Sequence, residues 1–174
     1  MRKVVIAATA AIFVTACSND AAPAAKPQGV TPTALKGGLY EGSWKVASVQ
    51  SVDRSTPATK LKQDASGSAH GCVTADGTID AALFAEDGDT CKIANPYVRN
   101  GRIGMDLTCT RKGQSGEVRQ SVSGTFTADA LDAEVSTTTY LSGTGDYAMT
   151  RSVSARRIGE CSAAPAAAAA EKTS

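Results

Sequence analysis

CKIANPYVRNGRIGMDLTC, running from Cys91 to Cys109, reads as a β-hairpin with a cysteine at each open end. Asn100-Gly101 is the turn signal. A two-residue turn there would set Cys91 opposite Thr110 and put the two cysteines on opposite faces. A three-residue loop, Arg99-Asn100-Gly101 with Gly101 left-handed, is the other common solution. It pairs Tyr97 with Ile103, Ile93 with Leu107 and Cys91 with Cys109. One face then becomes almost wholly apolar, and a slip of one residue would scramble it, so this register is preferred. Asn95 opposite Met105 interrupts that face. Pro96 beside it cannot donate to a ladder, which predicts a bulge or a sheet edge at this point.

Downstream the alternation continues. Val118, Val122 and Phe126 share one side of a strand over 118–127, and Leu131 to Leu141 alternates again. A four-residue turn, Thr127 to Ala130, pairs Phe126 with Leu131, Gly124 with Ala133 and Val122 with Val135. The turn Ser142 to Asp146 pairs Leu141 with Tyr147, Thr139 with Met149 and Val135 with Val153. Both registers turn the same residues of the middle strand inward, and this agreement predicts an antiparallel meander. The threonine-rich, β-branched composition fits strands. Upstream, Leu39 to Gln50 is a strand with Tyr40, Gly42, Trp44 and Val46 on one face. Residues 51–66 are a polar loop containing Pro57, and Ala69 to Val73 is a short strand. Thr74 to Glu86 holds the one predicted helix, with Ile79, Ala82 and Leu83 on a common face and Thr78 as N-cap. The fold class expected is mainly β: an antiparallel meander forming a small barrel, half-barrel or sandwich with one short helix.

The ends of the chain have a different character. Arg2 and Lys3 followed by the apolar run Val4 to Ala16 read as an export signal over 1–16, too short to span a membrane stably. The signal ends in Val14-Thr15-Ala16-Cys17, which resembles a bacterial lipobox. That resemblance implies a diacylglyceryl thioether on Cys17, cleavage before it and, with Ser18 next, residence on the periplasmic face of the outer membrane. Residues 17–38 are an Ala/Pro-rich tether, 39–161 the folded domain, and 162–174 an Ala-rich tail with no face to dock. Removing Arg2 and Lys3 from the 18 basic residues leaves 16 against 17 acidic ones. Such a balance gives no nucleic-acid footprint.

Five cysteines in an exported chain divide into one lipidated residue and four that form two bridges. The hairpin register gives Cys91–Cys109. Cys72–Cys161 remains, and strand direction supports it, because Cys109 and Cys161 then emerge at opposite ends of strands about 33 Å long. Cys72–Cys91 with Cys109–Cys161 is the alternative.

Gly42-Ser43-Trp44, Cys72-Val73-Thr74, Cys91-Lys92-Ile93, Leu107-Thr108-Cys109 and Ala155-Arg156-Arg157-Ile158-Gly159-Glu160-Cys161 together resemble the domain-of-unknown-function 3617 family across the whole domain. Asp76-Gly77 stands where such proteins often carry Pro-Glu. The resemblance implies export and this cysteine frame, and it transfers no catalytic residue.

Chemistry is sparse. His70 is the sole histidine, and a neighbouring Cys72 in a disulfide cannot supply a thiolate. Glu86, Asp87 and Asp89 lack the EF-hand pattern, and no zinc-ligand spacing, phosphate loop or nucleophile elbow is present. The expectation is therefore neither an enzyme nor a cofactor protein. On the inferred inner face, Gln120, Thr137, Thr139 and Arg151 accompany Val135 and Val153. They are candidates for a polar mouth that takes a small anionic or amphiphilic ligand; the plainer reading is a sheet end splayed to solvent. A closed pocket lined by Met105, Phe126, Met149 and Arg151 would favour a binding module, and a filled core with an exposed apolar strip would favour an envelope protein as partner. A passive structural or stress-related envelope lipoprotein is the alternative.

Overall fold

The computed structural model describes residues 34–161. The expected export signal, the lipid-attachment residue Cys17, most of the tether and the Ala-rich tail lie outside the described residues. Seven strands form one antiparallel sheet: β1 (Gly38–Ser51), β2 (Ser66–Val73), β3 (Asp89–Arg99), β4 (Arg102–Arg111), β5 (Gly116–Phe126), β6 (Ala130–Leu141) and β7 (Tyr147–Gly159). Their order is β2-β1-β7-β6-β5-β4-β3, curled into a half-barrel. The meander from β3 to β7 is continuous, and β1 closes onto β7 so that the first and last strands of the described residues are neighbours. Packing starts before β1: Leu35 is buried in the core and the Lys36 amide donates to the Ala128 carbonyl.

Alternation decides the inside. Ile103, Met105, Leu107 and Cys109 of β4, Val118 and Val122 of β5, and Leu131, Ala133 and Val135 of β6 all face the concave core. Segment 74–88, which links the two edge strands β2 and β3, covers this face with Ile79, Leu83 and the fully buried Phe84. Burying a side chain of that size contributes about 1.5–3 kcal/mol. A second cluster, Val46, Tyr147 and Met149, is covered by Leu61 and Ala65 of loop 52–65. The half-barrel thus carries two covers of different origin.

Cys91 lies opposite Cys109 and Ile93 opposite Leu107, as the apolar face required. The means differ from the expectation. Asn100 and Gly101, both at positive φ, form a two-residue turn with Arg99 opposite Arg102. A bulge between Ala94 and Tyr97 then shifts the register by one. Asn95, itself at φ 50°, anchors the bulge through its amide to Asp106 at 3.1 Å. Hence Val98, not Tyr97, lies opposite Ile103. A bulge restores the cysteine register that the short turn alone would destroy.

The β5–β6 pairings Phe126–Leu131, Gly124–Ala133 and Val122–Val135 stand as expected. Between β6 and β7 the register moves by two: Thr137 faces Met149 and Val135 faces Arg151. Asp146 is the cause, since its carboxylate accepts from the Leu141 amide and the Thr139 hydroxyl, and Thr139 in turn accepts from the Tyr147 amide. These bonds replace ladder bonds in a wider turn. A shift of two leaves every side chain on its expected face.

The predicted helix reduces to one 3₁₀ turn, Ala81–Leu83, capped by Asp80 rather than Thr78. Thr74, Asp76 and Thr78 bond among themselves, and Ile79 bridges to Val73, so the chain is still extended where a helix would begin. Gly88 at φ 87° ends the segment. The disulfides are Cys91–Cys109 and Cys72–Cys161, with Cα atoms 4.0 and 5.8 Å apart. Cys161, just past β7, reaches across the start of β1, because Leu39 pairs with Cys72 on one side and Gly159 on the other.

Candidate functional site

Where the two covers meet, a cavity of about 400 Å³ opens. Trp44 of β1 and Arg151 of β7 line it from the sheet, Ala58, Thr59 and Leu61 from loop 52–65, and Ala85 and Glu86 from segment 84–88. Trp44 lies flat over Gly67, where a Cβ would approach its ring to 2.4 Å, so a glycine on the edge strand makes room for the indole. Loop 52–65 is fixed from outside the cavity. Asp53 accepts from the Gly145 amide at 2.7 Å, the Asp146 amide at 3.1 Å and the Ser55 amide at 2.9 Å. These bonds hold its carboxyl well below the usual carboxylate range, the Ser55 bonds first.

A polar network joins the covers beside the cavity. Arg111 grips Asp89 through two bonds of 2.6 and 2.9 Å, donates to the Ala58 carbonyl at 2.8 Å and the Tyr147 hydroxyl at 3.0 Å, and lies 3.2 Å from Glu86. The buried Glu86 accepts from the Tyr147 hydroxyl at 2.6 Å and the Thr59 hydroxyl at 2.9 Å. The Asp89 bonds push the Arg111 guanidinium up, against its burial. Burial, then the Glu86 carboxylate, pushes the Tyr147 hydroxyl up. Both carboxylates are therefore committed to Arg111.

Arg151 is different. It is 1% exposed, its Nη2 donates to the Phe84 carbonyl, and its guanidinium lies 5.9 Å from the Trp44 ring. Its Nε has no partner. Burial pulls its pKa down, with Glu86 opposing.

Gln120, Thr137, Thr139 and Arg151 all point inward and are buried rather than splayed to solvent. Thr139 is engaged in the β6–β7 turn. Gln120 and Thr137 sit opposite each other on β5 and β6, with both side-chain amide atoms of Gln120 and the Thr137 hydroxyl unpartnered. Of the four, Arg151 lines the cavity. The expected grouping of Met105, Phe126, Met149 and Arg151 does not form around it: Met105 lines a separate hollow with Ile79, Ile93 and Val98. His70 pairs with Glu41 at 3.3 Å on the exposed side of the sheet. Arg157 donates to the Gly37 carbonyl and to Glu160, whereas Arg156 is exposed. Glu86 and Asp89 spend their oxygens on Arg111, Tyr147 and Thr59, which leaves Asp87 as the unengaged carboxylate of the lining. Among the described residues no helix is long and apolar enough to cross a membrane.

The sequence reading missed the Glu86–Arg111–Tyr147 network and the cavity role of Trp44. Its members lie in a loop, a turn and three strands, and no periodic pattern connects them. The inward parity of Tyr147 was the one available signal.

Residues 26–161 match the family described as protein of unknown function (DUF3617). No curated protein matches the chain, and no solved structure does.

Proposed function

The chain belongs to the domain-of-unknown-function 3617 family, and from that premise we propose that it is a bacterial envelope lipoprotein whose domain takes up a small ligand. Cys17 carries the lipid and holds the protein on the periplasmic face of the outer membrane. The ligand occupies the cavity between loop 52–65 and segment 84–88. One observation carries the reading: a cavity of about 400 Å³ is floored by an aromatic ring and a buried guanidinium with an unused donor. Concave, largely apolar hollows with a few convergent polar groups are the usual form of small-molecule sites. A passive envelope protein would have no use for a buried cation with no carboxylate bonded to it, which burial penalises.

Mass spectrometry of the full-length protein, extracted in detergent from its native membrane, tests both halves. The first mature residue should carry acyl mass, and Cys17→Ser should remove it along with membrane retention. A small molecule should co-purify and should be lost from Ala85→Trp, which fills the cavity. An unmodified Cys17 rejects the lipoprotein assignment. Identical, ligand-free spectra of the wild type and Ala85→Trp reject the binding assignment.

A further inference from the structure

Resting on the reading of the cavity as a binding site, we propose that its ligand carries an anionic head, a carboxylate or phosphate, seated against Arg151, and an apolar body lying along Trp44 and Leu61. The charge distribution leads to this class. Two guanidiniums and two carboxylates meet at the junction of the covers, yet both carboxylates bond Arg111. Arg151 donates to one backbone carbonyl and faces an indole; Glu86 acts on it through space, and no carboxylate is hydrogen-bonded to it. A carbonyl dipole and a ring quadrupole ease a buried cation without neutralising it, and an unpaired buried charge is strongly disfavoured. An incoming carboxylate or phosphate would give Arg151 a directly bonded anion and accept from it in the forked geometry that guanidinium favours.

The surroundings agree. Lys60 and Lys112 line the cavity with the one unengaged carboxylate, Asp87, so cations outnumber free anions at the mouth. Ala58, Leu61, Ala85 and Trp44 offer apolar wall to a hydrocarbon or aromatic body. Thr137 and Gln120 continue the unpartnered polar strip beyond Arg151, one inward position further along the ladder.

Trp44 is the sole tryptophan and lines the cavity, so its emission reports occupancy. Four eight-carbon probes share one chain and differ in the head: octanoate, monooctyl phosphate, octanol and octyltrimethylammonium. Full-length protein in detergent is titrated with each. Octanoate and octyl phosphate should shift Trp44 emission with Kd at least tenfold below octanol, and octyltrimethylammonium should bind weakest. Arg151→Met should erase the preference, bringing octanoate to the octanol value while octanol is unchanged. In the wild type, octanoate should also move the Arg151 Nε–H resonance downfield, a reading that does not depend on the variant folding. Equal binding of octanoate and octanol, or an unmoved Nε–H resonance at saturating octanoate, overturns the anionic class and leaves the cavity reading standing. If none of the four probes changes Trp44 emission, the cavity reading itself falls.

Discussion

Asp53 shows how one carboxylate can govern a whole loop. It lies on the outer side of loop 52–65 and ties that loop to the β6–β7 turn through the amides of Gly145 and Asp146. Its folded pKa is lowered from 3.8. A lowered folded value means that the stabilisation is present above the unfolded pKa and is lost as pH falls through the folded one. Acid below pH 3.8 should therefore loosen loop 52–65 before the sheet unfolds. Hydrogen exchange at the Gly145 amide should quicken in that range, and Asp53→Asn should give fast exchange already at neutral pH; exchange that is equally slow in both would reject the clamp. Glu86 acts on the inner side. Glu86→Ala strands part of Arg111 and removes the partner of the Tyr147 hydroxyl, and breaking a buried pair typically costs about 3–5 kcal/mol. Allowing for the Asp89 bonds that survive, a loss of about 3 kcal/mol is expected in urea unfolding, against about 1 kcal/mol for Tyr147→Phe. Neither residue could be placed in the sequence. Asp53 sits among polar loop residues with no period, and Glu86 lay at the end of a helix that does not form.

At the level of elements, legibility followed parity. Every inward residue of β5, β6 and β7 was readable, because alternation survives a register shift of two. The β5–β6 turn was read at its true length, but the other two were not, because side chains decided them: Asp146 widened the β6–β7 turn, and Asn95 paired with Asp106 absorbed the residue that the Asn100-Gly101 turn left over. The helix failed for a comparable reason, since Thr74, Asp76 and Thr78 offered the backbone local hydrogen bonds in place of helical ones. Two predictions belong to this scale. The cross-link Cys72–Cys161 spans 89 residues and Cys91–Cys109 spans 18. In the loop-entropy account these correspond to about 4.5 and about 3 kcal/mol. Replacing the first pair by serine should lower the unfolding midpoint more than replacing the second; the reverse order would show that strand β3 depends on its staple for pairing. Gly67 supports Trp44 directly, so Gly67→Val should displace the indole and red-shift its emission. An unchanged spectrum would mean that the ring does not rest there.

For the molecule as a whole, the mainly β class and the meander followed from the sequence, and the half-barrel was one of three closures it left open. Curling depends on which strand joins which edge, and nothing local announces that β1 adds to β7. The candidate site was legible by a quarter: Arg151 lines the cavity, Thr139 serves a turn, and Gln120 and Thr137 lie inward of it. The remaining walls come from loop 52–65 and segment 84–88, whose positions are set by long-range bonds such as Thr59 to Glu86 and Arg111 to Ala58. Such contacts leave no mark on spacing.

The Cys72–Cys161 cross-link closes a covalent ring that contains β3 through β7 and excludes β1, although β1 lies between the two strands that the ring unites. Tension applied along the chain ahead of Gly38 therefore meets β1 as a bolt held in a clasp. It has to slide against ladders on both flanks at once, and the clasp cannot gape while its sulfurs stay joined. Reduction should turn this mechanically stiff fold into one that peels strand by strand under modest force.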